Sequence, residues 1–172
     1  MNFIRRFLLA LAVAALIPNA LRAEERALVK SVRIEAPVAD VWAAWTTPAG
    51  LKAFLSIDSA IELRSGGKYE FHFGPPASAP NRGSEGCTVL SYLPQRMLSF
   101  TWNAPPSFPA IRALGPSTFV VLEFTAAGER ATDLRLTHLG WREGEDWNAV
   151  YAYFNQAWGM VLGALQKAMA PK

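Results

Sequence analysis

Residues 145–169 read EDWNAVYAYFNQAWGMVLGALQKAM, and within them Trp147, Val150, Tyr151, Phe154, Trp158, Val161, Leu162, Leu165 and Met169 step by three and four. Apolar residues at that spacing line one face of an α-helix. From Glu145 to Met169 such a helix would run roughly 37 Å, at about 1.5 Å per residue. The chain offers only one other helical pattern. Val38, Val41, Trp42 and Trp45 recur at the same spacing behind Pro37, Pro48 closes the run, and Leu51 to Leu55 add one more turn. Two such short helices cannot cover the long stripe, so it must lie across a sheet.

The segments between the helices supply that sheet. Ala27 to Ala36 alternates and reads as a first strand. Ile61 to Arg64 and Lys68 to Phe73 flank the tight turn Ser65-Gly66-Gly67 and form a hairpin. Cys87 to Leu93 with Arg96 to Asn103, and Thr118 to Thr125 with Thr132 to Leu139, form two more, which makes seven strands. The proline- and glycine-rich stretch from Gly74 to Gly86 reads as a loop. Strand parity then sorts the side chains. If Tyr69, Phe71 and Phe73 face the long helix, so do Leu98, Phe100 and Trp102, then Val120, Leu122 and Phe124, then Leu134 and Leu136; Lys68, Glu70, Glu123, Asp133 and Arg135 point the other way. An antiparallel sheet with one apolar and one solvated face has this division.

With 172 residues, 51% of them hydrophobic and 18% charged, the chain has the size and composition of one packed domain and excludes a disordered one. The formal charge of +3 gives no nucleic-acid footprint. Arg5, Arg6 and Arg22 precede the first acidic residue, and the remaining chain carries as many basic as acidic groups, with no basic stripe. Arg5 and Arg6 are followed by an apolar run from Phe7 to Ile17, then Pro18 and a short segment ending at Ala23, the layout of a secretory signal peptide. That run is far shorter than the ~20 residues of a spanning helix. Residues 1–23 are therefore read as a signal and residues 24–172 as the mature domain, without a transmembrane span, periplasmic or secreted if the host is bacterial. An uncleaved membrane tether is the alternative, because Leu21 is bulky where the cleavage site prefers a small residue.

The order of strand, short helix pair, six antiparallel strands and long C-terminal helix resembles the helix-grip fold of the START and birch-pollen-allergen (SRPBCC) superfamily. The wording from Ile34 to Thr47, the segments Gly66 to Phe71 and Pro94 to Trp102, and Leu136 to Trp141 followed by Trp147 to Leu165 resemble its branch related to the C-terminal domain of the activator of the ninety-kilodalton heat-shock chaperone ATPase. The resemblance covers about residues 27–170. It implies an α+β domain, a seven-stranded curved antiparallel sheet wrapped around the long helix, with two short helices after the first strand. An export signal separates this chain from a cytosolic chaperone, so the likeness does not extend to ATPase activation. The branch shares no catalytic motif that carries over.

In that fold the natural cavity lies between helix and sheet, and such cavities are mostly apolar with a few convergent polar groups. Parity nominates Tyr69, Phe71, Phe100, Trp102, Leu122, Leu136, His138, Tyr151, Phe154 and Trp158 as its ligand-binding lining. The competing expectation is that these side chains fill the interior completely. His138 is the polar residue to weigh, either a ligand contact or general base, or a structural histidine bonded to backbone. Cys87 is expected to be a buried hydrophobe. Two histidines 66 residues apart and one cysteine give no metal-ligand spacing, and neither a nucleophile elbow nor a phosphate loop is present, so no metal or cofactor is expected. Residues 104–117 hold Pro105, Pro106, Pro109 and Pro116 around Phe108, Ile111 and Leu114, a lid or docking loop or else a segment packed over the sheet edge. Three functional readings follow: an exported domain binding a small hydrophobic or amphipathic molecule, an enzyme of hydrolase, lyase or cyclase type using His138, and a module binding an unidentified protein through the 104–117 loop.

Overall fold

A computed structural model describes residues 25–74 and 82–171; the expected signal segment lies outside them. The elements are β1 (Leu28–Ile34), α1 (Val38–Thr46), α2 (Pro48–Leu55), β2 (Asp58–Ile61), β3 (Tyr69–His72), β4 (Val89–Leu93), β5 (Met97–Trp102), α3 (Pro109–Arg112), β6 (Thr118–Ala126), β7 (Thr132–Leu139) and α4 (Glu145–Ala168). The two prolines act as the sequence implies. Pro37 caps α1, and Pro48 occupies the first turn of α2 behind Thr47, whose hydroxyl accepts from the Gly50 N–H at 3.0 Å. Gly50 is required there because a Cβ would overlap the Ala43 carbonyl, so the two helices could not approach as they do.

All seven strands are antiparallel, in the order β1-β7-β6-β5-β4 with β2-β3 as a separate pair. Backbone bonds stitch the pair to the edge of the larger sheet. Tyr69 N–H donates to Cys87 O at 2.9 Å, Gly66 N–H to Val89 O at 2.8 Å and Val89 N–H to Gly67 O at 2.9 Å. The seven-stranded surface is thus present but broken between β3 and β4. The first strand of that hairpin sits three residues earlier than expected, while the second lies within its expected range: β2 is Asp58–Ile61, and Glu62 to Gly67 is spent on the turn, where Gly67 N–H bonds Arg64 O.

The parity assignment holds. Tyr69, Phe71, Leu98, Phe100, Trp102, Val120, Leu122, Phe124, Leu134 and Leu136 are buried, as are Trp147, Val150, Phe154, Trp158, Leu162 and Leu165 along α4. Phe73 departs from it at 42% exposed, because β3 ends at His72 and Phe73 sits at the edge of the helix–sheet gap. The stripe meets the sheet through ring contacts, Trp158 on Trp102 at 5.2 Å and Phe154 edge-on to His138 at 5.1 Å. Cys87 is buried with its thiol pushed up to about 12, chiefly by desolvation, which leaves it a small hydrophobe rather than a nucleophile.

Candidate functional site

The helix–sheet gap is solid at one end and hollow at the other. At the solid end Tyr69, Phe100, Leu122 and Leu136 are each fully enclosed. Tyr69 stacks on Phe100 at 4.2 Å and donates its hydroxyl to Trp45 O at 2.8 Å. Burial holds that hydroxyl well above the ordinary tyrosine value, so it stays a neutral donor. These four nominated residues are core.

At the hollow end lies a pocket of about 180 Å³. The sheet contributes Phe71 and Trp102, with Phe73 and Asn103 just past their strands; α4 contributes Tyr153, Phe154, Ala157, Trp158 and Val161. The mouth is made by Arg82, Gly83 and Ser84 on one side and Pro105 and Pro106 on the other. Of the ten nominated residues, four line it: Phe71, Trp102, Phe154 and Trp158. Tyr151 lies apart, its hydroxyl on Ala27 O at 3.2 Å and its ring under the Arg26 guanidinium at 3.9 Å. Tyr153, Ala157 and Asn103 were not nominated, Tyr153 and Ala157 because they sit on the shoulder of the helical stripe and Asn103 because it follows the last paired residue of β5.

His138 is enclosed and bonded on both ring nitrogens. Nδ1 accepts from Trp158 Nε1 at 3.0 Å; Nε2 therefore carries the proton and meets Thr118 Oγ1 at 2.8 Å, and that hydroxyl donates to Trp102 O at 3.0 Å. Trp141 Nε1 adds a bond to the His138 carbonyl at 2.8 Å. Desolvation lowers the imidazole to about 3. In this arrangement no ring nitrogen is directed at the pocket, and the histidine ties β7, β6, β5 and α4 together.

Residues 104–117 divide three ways. Ile111 is buried, Phe108 is half-buried edge-on to Tyr153 at 5.7 Å, and Leu114 is 52% exposed. The loop carries the single turn α3, from which Arg112 holds both lips of the mouth: its guanidinium donates to Ala104 O at 2.6 Å, Gly83 O at 2.9 Å and Glu85 Oε2 at 2.7 Å. Residues 82–84 run beside β3, with Phe73 N–H on Arg82 O at 2.9 Å and Ser84 Oγ accepting from Phe71 N–H at 2.8 Å. Gly83 permits this, since a Cβ there would overlap the Phe71 carbonyl.

The pocket is thus an aromatic slot between a long helix and a curved sheet, and its frame is a shared one. Residues 35–170 match the family described as Activator of Hsp90 ATPase homolog 1-like protein. The chain belongs to this family. No curated protein matches it. Among solved structures it is similar to a protein from Mesorhizobium loti at 23% identity, with 83% of this chain and 96% of that chain covered and a TM-score of 0.63. It is also similar to the Aha1 dimer from Colwellia psychrerythraea, at 21% identity, 84% and 96% coverage and TM-score 0.59. A third is CalU16 from Micromonospora echinospora, at 25% identity, 86% and 78% coverage and TM-score 0.60. The family match takes in every element from α1 to α4, so the helix-grip frame around the pocket is the family's frame. Among the described residues no helix is long and apolar enough to cross a membrane, and no group of three or more potential metal ligands occurs.

Proposed function

We propose that this is an exported domain that holds a small hydrophobic or amphipathic molecule in the aromatic slot between α4 and the sheet. The observation that carries the reading is the slot itself, a hollow of about 180 Å³ walled by Phe71, Trp102, Phe154 and Trp158. A dry apolar cavity of roughly 150 Å³ is enough to hold a benzene-sized guest. Drug-sized ligands call for about 300–1,000 Å³, so one or two rings fit inside and a longer molecule would leave through the mouth. Export rests on the charged, apolar and Ala23-terminated sections of residues 1–23.

A neutral naphthylamine dye, which brightens in apolar surroundings, tests the slot. One saturable site is expected, with binding at least about tenfold weaker in Ala157→Phe, whose ring would occupy the space, while its melting temperature stays close to that of the parent. Absence of saturable binding, or equal binding by the filled variant, would overturn the reading. Export is tested by fractionating the native host and sequencing the N-terminus. A chain beginning near Glu24 outside the cytoplasm is the expected result, and a cytoplasmic chain beginning at Met1 refutes it.

A further inference from the structure

Among the described residues that wall the slot, Arg82 alone has a charged side chain; the rest are aromatic, aliphatic or neutral polar. Strand pairing decides which way it projects. Residues 82–84 run antiparallel to β3, with His72 opposite Gly83 and Phe73 N–H on Arg82 O at 2.9 Å. Opposite partners in such a pair share a side, so Arg82 lies on the slot side with Phe73, as Ser84 does with Phe71. Glu70 and His72 take the other side, where they meet at 3.6 Å.

The Arg82 guanidinium is held in place. One of its bonds runs to Gly74 O at 3.1 Å, and a backbone carbonyl occupies a donor without cancelling the charge. The neighbouring carboxylate, Glu85, is turned to Arg112 at 2.7 Å and to the N–H groups of Arg82 and Gly83. Two guanidinium groups against that one carboxylate leave the mouth with a single positive charge. The helical wall does not alter the balance, since residues 147–166 contain no Asp, Glu, Lys or Arg.

We propose, resting on the reading above, that the slot's guest is a ring compound carrying a carboxylate at its outer end. The ring would lie among Phe71, Trp102, Phe154 and Trp158, and the carboxylate would reach the Arg82 guanidinium at the mouth. A hollow of this size takes the ring alone, so the polar end of an amphipathic guest comes to the opening. A guanidinium matches a planar carboxylate in both shape and charge. A neutral amide keeps the shape and loses the charge; an ammonium is repelled.

Calorimetric titration of the purified protein at neutral pH with phenylpropanoate, phenylpropanamide and phenylpropylamine tests this, because the three share a ring and a spacer. On the scale of a partly exposed ion pair, the acid is expected to bind about fivefold tighter than the amide, and the amine more weakly than either. Added salt should narrow the gap between acid and amide while leaving the amide unchanged. Arg82→Gln should bring acid and amide to the same Kd, with the amide and the naphthylamine dye bound as by the parent, and Arg82→Lys should retain part of the preference. The comparison within the parent protein needs no variant. Equal binding of acid and amide there, both blocked by Ala157→Phe, would overturn the carboxylate assignment and leave the apolar slot standing. A preference for the acid that survives Arg82→Gln would overturn the role given to Arg82. Failure of all three compounds and of the dye would overturn the slot itself.

Discussion

Two sets of buried polar groups in this interior are treated in opposite ways. Around His138 every polar atom is matched: Nδ1 with Trp158, Nε2 with Thr118, the carbonyl with Trp141. Around Trp102 and Asn103 the indole N–H and the carboxamide oxygen are matched with nothing among the described residues. A closed network in a low-dielectric interior fixes one geometry and rigidifies the elements it joins. An unpaired donor or acceptor in the same interior fixes no geometry and carries a standing cost. The histidine that looked chemically most promising is therefore a brace, and the slot is left to its aromatic walls.

Replacing His138 is the strongest way to break this contrast. His138→Ala would leave a cavity and orphan Trp158 Nε1, while Thr118 Oγ1 keeps its bond to Trp102 O, so denaturant unfolding should show a loss of about 3–5 kcal/mol. A stability within about 1 kcal/mol of the parent would mean the network is not a brace.

Acid offers a second, reversible way. The folded imidazole titrates at about 3 and an unfolded one near 6.5. Between those values the unfolded chain binds the extra proton, so this residue's contribution to stability is present above about pH 6.5 and is lost as the pH falls toward 3. At about 1.4 kcal/mol per pH unit, roughly 2–3 kcal/mol should disappear between pH 7 and pH 4.5. His138→Gln should flatten that segment of the curve relative to the parent, and parallel curves would show that the histidine is not the titrating group.

The smallest effect has the opposite sign. Asn103→Leu removes a buried carboxamide oxygen that has no partner among the described residues and should raise unfolding stability by about 0.5–1 kcal/mol. A loss of similar size would show that the carboxamide is already satisfied.

The sequence made one scale of this contrast readable and hid the other. Period-two alternation in Tyr69 to Phe73 and the three-four steps of Trp147 to Met169 specify which face is buried, because that is a property of local geometry. They carry no information about depth, so Tyr69 and Phe71, of identical parity, ended in solid core and pocket wall respectively. The histidine's saturation depends on Thr118, 20 residues before it, and Trp158, 20 after, a coincidence of three elements that no spacing rule encodes. The single turn α3 was equally hidden, since four residues are too few to show a period and its prolines read as loop. Asn103 sits just beyond Trp102, where strand alternation stops predicting direction.

The Arg112 guanidinium reaches the backbone of both strips of chain that border the slot and the Glu85 carboxylate between them. That arrangement ties the two strips to each other, in addition to the bonds that seat residues 82–84 on β3. The width of the opening thus depends in part on a residue outside the pocket lining, so the entrance could change in evolution without any alteration in the aromatic walls.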